Sequence, residues 1–166
     1  MTVPQPIPTG AVRYNTDSGN MEVYIGDTWM EVSVSSPVLE GGARGLFIGG
    51  GYPNLQNIID FVTISTAGNA TDFGDLNNTT LLQGACSSRT RGLAAGAYPS
   101  ASNVIDFVTI SSTGNAQDFG DRTTNQYNLA GLSNQTRGIF AGGHNPTNSN
   151  VIDFVTIAST GNAVDF

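Results

Sequence analysis

One stretch is written three times along the chain and constrains everything around it: IIDFVTISTAGNATDF at 58–73, VIDFVTISSTGNAQDF at 104–119 and VIDFVTIASTGNAVDF at 151–166. Each copy opens on a β-branched, apolar run, passes a Gly-Asn step and ends on Asp-Phe, which predicts two short strands joined by a tight turn. Asp60 and Asp106 stand 46 residues apart, and Asp106 and Asp153 stand 47 apart. A period of that size implies a stacked or radial repeat. Within 58–65, Ile58, Asp60, Val62 and Ile64 fall on one face of a strand and Ile59, Phe61, Thr63 and Ser65 on the other. Both faces are substantially apolar, so the strand is expected to be buried on both sides, as in sheets packed face to face.

Aligned on their Arg-Gly pairs, the copies read ARGLFIGGG from Ala43, TRGLAAGAY from Thr90 and TRGIFAGGH from Thr136. Each unit then runs through a short apolar strand, small residues, a polar loop and the hairpin. The intervening NNTTLLQGACSS (77–88) and TTNQYNLAGLSNQ (123–135) each hold apolar residues for one further strand. The expectation is an all-β chain with about four strands per unit, in units of about 43–89, 90–135 and 136–166. The third unit is incomplete on that reading, and more repeats are expected to follow it. Asp60, Asp106 and Asp153 sit in the middle of an apolar face, where a carboxylate without a partner is costly. Arg44, Arg91 and Arg137, one per unit, are the expected partners.

Composition narrows the function classes. The chain carries 13 acids against 6 basic residues, all arginine, for a net charge of −7. No basic cluster exists to meet a phosphate backbone, so no nucleic acid is expected as partner. The first residues lack a signal peptide's basic and apolar regions, and no run approaches the ~20 apolar residues of a membrane span, so no membrane insertion is expected. Cys86, the one cysteine, aligns with Leu132 and reads as a small buried apolar residue. Asp72 with Asp75, and Asp118 with Asp121, fall short of a calcium shell and read as turn caps. His144 is the one histidine, and nothing in the sequence positions it as a base. The expectation is a protein that is not an enzyme, with no cofactor and no metal. Binding is sought instead in the loops after the small residues, GYPNLQN (51–57), YPSASN (98–103) and HNPTNSN (144–150), where alone the copies differ in length. Tyr52, Asn54, Tyr98, His144 and Asn145 in these loops suit stacking and hydrogen bonding against sugars or a neighbouring subunit, with avidity compensating for weak sugar sites.

Ahead of the repeats, AVRYN, MEVYIG and TWMEVSV alternate as three short strands with turns at 16–19 and 26–27. This β-meander with its linker, 1–40, is expected to be one domain and the repeats, 41–166, another. SVSSPVLEGG at 33–42 reads as the linker. So few residues cannot bury enough surface alone, so the meander is expected to dock on its own copies or on a larger body.

The stretch GAVRYNTDSGNMEVYIGDTWMEV resembles a short motif of structural proteins of tailed bacteriophages. The matching residues are Gly10, Arg13, Tyr14, Asn15, Ser18, Gly19, Glu22, Val23, Tyr24, Gly26 and Trp29. The resemblance implies a virion component, a tail or other fibre assembled in the host cytoplasm. It would attach through its N-terminal end, with Arg13, Tyr14, Tyr24 and Trp29 as candidate attachment residues, other virion proteins as partners and a homo-oligomer, a trimer by resemblance. The repeats resemble β-propeller blades of the Kelch kind: LFIGG and IFAGG match the Gly-Gly signature, LAAGA departs from it, and Phe73, Phe119 and Phe166 stand near the place of the usual Trp. They also look like the Kelch-like repeats of some phage appendage proteins, which implies display of the loops to a host cell-surface glycan. The alternative is a cytosolic Kelch-type interaction module. A propeller enzyme acting on glycans lacks the residues it would need.

Overall fold

The structure, a computed structural model, describes residues 6–32, 44–51 and 53–166. The linker expected at 33–42 and the candidate Tyr52 lie outside the described residues. The chain divides into two compact units, Met1–Val38 and Leu39–Phe166. Among the described residues every element is a strand, and no helix is long and apolar enough to cross a membrane.

In the first unit β1 (Val12–Asn15), β2 (Asn20–Ile25) and β3 (Thr28–Glu31) form an antiparallel meander in that order. Asn15 shapes the first turn, its Oδ1 accepting from the backbone N–H groups of Asp17 and Ser18. The second turn is the two-residue Gly26-Asp27, both at positive φ, which matches the twist of a tight hairpin.

Among its described residues the second unit holds three sheets. The first is β4 (Arg44–Gly50), β5 (Gln56–Thr63) and β6 (Thr71–Asp75). The second is β7 (Gly84–Ser87), β8 (Arg91–Ala95), β9 (Ser102–Thr109) and β10 (Gln117–Gln126). The third is β11 (Ala130–Ser133), β12 (Arg137–Ala141), β13 (Ile152–Thr156) and β14 (Val164–Asp165). In each, neighbours in sequence are neighbours in the sheet, all antiparallel. The thrice-written stretch supplies an interior strand and the one after it. Two expectations are corrected here. The strands at 84–87 and 130–133 open the following sheet instead of closing the preceding one, so sheets and sequence units are cut differently. The third sheet has four strands, the last of them only two residues long. The short apolar stretches GACS and AGLS lie four residues before the next Arg-Gly and fold back on it as hairpins, Cys86 opposite Leu93 and Leu132 opposite Ile139.

The sheets pack face to face, always in the same sense. Each has a forward face, towards the next sheet, and a rear face. Leu46, Ile48, Ile59 and Phe61 on the forward face of the first sheet meet Ala94 and Val108 on the rear of the second, with Phe73, Leu76 and Ala116 closing that core. Leu93, Ala95, Ile105 and Phe107 on the forward face of the second meet Phe140, Val155 and Ile157 of the third, with Phe119, Leu129 and Ala163. Of these three sheets, the middle one alone has another of them on both sides. Burial of β9 at Ile105, Asp106, Phe107 and Val108 contrasts with β5, where Ile58 is exposed, and β13, where Ile152 is. The doubly buried strand expected for all copies is therefore realised in one.

The Gly-Asn step is not a tight turn. Seven residues separate β5 from β6 and β9 from β10, and the Gly-Asn-Ala of each later copy reaches back to the preceding sheet. Gly114 and Ala116 N–H donate to the carbonyls of Phe73 and Asp75 (both 2.7 Å), and Gly161 and Ala163 N–H to those of Phe119 and Asp121 (2.8 and 2.7 Å). The side chains of Asn115 and Asn162 accept from the N–H of Asp75 and Asp121, both at 3.1 Å. This close approach requires glycine in the Asp-Phe-Gly-Asp segment. Gly120 has φ of +143°, and a Cβ there would stand 2.5 Å from the Gly161 carbonyl oxygen; Gly74 faces Gly114 in the same way.

Candidate functional site

Five motif residues of the first unit, Arg13, Asn15, Glu22, Tyr24 and Trp29, fall on one face of the meander. Arg13 Nε donates to Glu22 Oε2 (2.7 Å), Asn15 Nδ2 donates to Glu22 Oε1 (2.9 Å), and the Arg13 guanidinium lies 4.2 Å from the centre of the Trp29 ring, which contacts Tyr24. The hydrogen bond from Asn15, then that from Arg13, hold the Glu22 carboxyl below its ordinary range. Register puts Tyr14 on the opposite face with Val12, Met21, Val23, Ile25 and Met30. All of these but Val23 are exposed, Tyr14 at 60%. The candidate attachment residues thus divide: Arg13, Tyr24 and Trp29 stiffen one face, and Tyr14 belongs to a bare apolar one.

The pairing expected between Arg44, Arg91 or Arg137 and Asp60, Asp106 or Asp153 does not occur, and strand parity explains why. Arg44 stands opposite Thr63, three residues from Asp60, so the two side chains leave opposite faces of the sheet; Arg91 with Asp106 and Arg137 with Asp153 repeat the arrangement. Each guanidinium instead lies over the Phe two residues before that Thr: Arg44 on Phe61 (4.6 Å), Arg91 on Phe107 (4.6 Å) and Arg137 on Phe154 (4.4 Å). From there Arg44 Nη1 donates to the carbonyl of Ile110 (2.8 Å) and Arg91 Nη1 to that of Ile157 (2.9 Å), each just past the end of an interior strand of the following sheet. The repeated arginine is a clamp between sheets.

Asp106 and Asp153 point rearward and find partners on or just beyond the last strand of the preceding sheet. Asn77 Nδ2 donates to Asp106 Oδ1 and Thr123 Oγ1 to Asp153 Oδ1, both at 2.6 Å, from equivalent positions. Asp153 has a second partner, Arg122 Nη2, 2.9 Å from Oδ2, with both side chains fully buried. Leu76 holds the place of Arg122 in the first interface. Burial accordingly pushes the Asp106 carboxyl up, against the lowering effect of Asn77. These groups are scaffold, and so is Cys86. Its thiol packs into the second interface against Gly138, where burial pushes its pKa up to about 11.

The loops gather the remaining chemistry. Tyr98 contacts Tyr127 (ring centres 5.1 Å apart, 74° between planes), and Tyr127 contacts His144 (5.5 Å, 61°). The backbone fixes this row. Tyr98 pairs with Leu81 and Tyr127 with His144 in isolated antiparallel bridges, and the N–H of Tyr98 donates to the Leu81 carbonyl at 3.1 Å. His144 Nδ1–H donates to Asn148 Oδ1 (3.0 Å), and Asn145 Nδ2 to the Asn125 carbonyl (3.2 Å). Beside the row, a cleft of about 520 Å³ runs between Leu55 and Tyr98, edged by Asn78, Thr79, Ser100 and Ser102. Asn54, next to Leu55, is exposed. Sequence reasoning found Tyr98 and His144 and missed Tyr127. The signal was present, because Tyr127 lies as far before the third Arg-Gly pair as Leu81 lies before the second, but the first of those positions is not aromatic.

Among the described residues no group of three His, Cys, Asp or Glu side chains is arranged to hold a metal ion. Asp118 acts as a turn cap, its Oδ1 accepting from the Gly120 N–H at 3.2 Å. The fold defines an all-β protein of stacked, repeated antiparallel sheets. Compared with models of known protein families and with curated protein sequences, the chain matches none.

Proposed function

We propose that the chain is a non-catalytic component of a phage virion appendage, a tail or other fibre. Its first unit attaches to another virion protein, and its repeats form a Kelch-like, propeller-type body that carries a carbohydrate-binding row of loops. The observation that carries this reading is the Tyr98–Tyr127–His144 row, whose Tyr98 end lines a polar-edged cleft. A pyranose offers an apolar C–H face and a rim of hydroxyls, and aromatic rings beside Asn, Thr and Ser side chains complement both. The resemblance of residues 10–29 to virion proteins supports the placement, and the exposed apolar face around Tyr14 supports docking of the first unit on a partner. Antiparallel sheets of three and four strands stacked in one sense support the Kelch-like reading of the repeats. One shallow cleft gives weak binding, which several copies on one particle would raise by avidity.

The test is a glycan array, or host-cell binding, with the full chain presented multivalently. Binding is expected to saccharides and to fall at least tenfold in Tyr98→Ala and Tyr127→Ala, with thermal unfolding showing both variants folded. Wild-type protein that binds no glycan and no host cell would contradict the carbohydrate reading.

A further inference from the structure

The contacts that hold the second sheet to the first are made again between the third and the second, and among these three sheets the rear face of the first and the forward face of the third have no counterpart. On the rear of the first sheet, Phe47 is 59% exposed and Ile64 71%; their equivalents on the third sheet, Phe140 and Ile157, are 0% and 1% exposed. On the forward face of the third sheet, Ile152 is 42% exposed, whereas its equivalents Ile59 and Ile105 are both at 0%. Leu132, beside it, is 55% exposed. Side chains that are core in the interior of the stack are surface at its two ends.

The polar devices are unmatched in the same way. Arg137 lies on Phe154 as Arg44 and Arg91 lie on Phe61 and Phe107. Among the described residues its guanidinium meets no carbonyl of a following sheet. The carbonyl equivalent to those of Ile110 and Ile157 is that of Ile64, on the rear face of the first sheet. Gly45 on that face corresponds to Gly92, against whose Cα Leu46 packs, and to Gly138, which receives Cys86. It is the seat that Ile139 of the third sheet would fill.

We infer that the forward face of the third sheet docks on the rear face of the first sheet of a second copy of this chain, reproducing the internal interface between molecules. The occupant follows from continuity with an interface the chain makes twice. Each face is complementary to the other and not to itself, so the contact is head-to-tail. Such contacts close into rings or propagate as filaments, according to the rotation they impose.

The experiment is sedimentation of the full chain, wild type, Phe47→Asp and Ile152→Arg, alone and as an equimolar mixture of the variants. Both substituted side chains are exposed in the single chain, so the variants should fold, which circular dichroism would verify. Wild type is expected to sediment as an oligomer and each variant as a monomer. The mixture should recover a dimer, because one variant keeps the forward face intact and the other the rear face. A wild type that stays monomeric at ~100 µM, above the dissociation constants of weak specific interfaces, would overturn the proposal. So would an oligomer indifferent to both substitutions, which would assign assembly to another surface, or a mixture that stays monomeric.

Discussion

Two buried aspartates with one fold environment and different partners make the residue scale testable. Asp153 is neutralised by buried Arg122, whose Nε and Nη1 meet no acceptor among the described residues. Asp153→Asn strands that cation and is expected to cost ~3–5 kcal/mol in urea unfolding at neutral pH. Among the described residues Asp106 faces no cation: the side-chain amide and the backbone of Asn77 bond to it, and the Asp118 carboxylate stands opposite it in the sheet. Asp106→Asn keeps an acceptor and removes a buried charge, so its stability is expected within about 1 kcal/mol of wild type. The pH dependence has a definite sign. Burial raises the folded-state pKa of Asp106 above the ordinary 3.8, so the folded state takes up the proton first. The stability this group contributes is complete below 3.8 and is lost as pH rises through the raised value. Wild type should therefore gain on Asp106→Asn as the pH is lowered through that window; a difference independent of pH would contradict the burial of this carboxyl. The Arg122–Asp153 pair could not be read in the sequence because it occurs in one interface only and so carries no repeat signal. The Arg–Asp pairing suggested by the repeats failed for another reason. One residue type per unit fixes a count, whereas the three-residue offset in strand register decides the face.

At the scale of elements, the sequence disclosed the strands more fully than their partners. The β-branched run of 58–63 and its copies became interior strands, where β-branched side chains suit the pleated surface and both backbone edges are paired. The Gly-Asn step misled, because a turn signal and a docking segment use the same residues. Both need small side chains, here so that Gly161 can approach Gly120. Gly120→Ala would place a Cβ 2.5 Å from the Gly161 oxygen at a φ of +143° and is expected to cost ~2–4 kcal/mol. Amide hydrogen exchange offers a check without mutation. The N–H groups of Gly114, Ala116, Gly161 and Ala163 lie outside the strands yet are bonded across sheets, so they should exchange as slowly as strand amides. Exchange at the rate of exposed loops would contradict the stacking of the sheets.

For the whole molecule, the repeat makes an architecture whose core is distributed between sheets, and the chemistry open to a ligand lies at the loop edge and on the meander's apolar face. Tyr98 and His144 were legible as loop residues because loops tolerate the length change seen there, whereas the row they form with Tyr127 depends on packing of neighbouring sheets. The proposed role follows from that division: repeats as scaffold, loops as reader, first unit as anchor. Immunogold electron microscopy of phage particles carrying this chain tests it most directly, using one antibody against the 144–150 loop and one against the Tyr14 face of the meander. The loop antibody is expected to label an appendage of intact particles, and the meander antibody to label only dissociated protein. Particles that neither antibody labels, whose proteins on denaturation contain no chain reactive with either, would contradict the assignment to the virion.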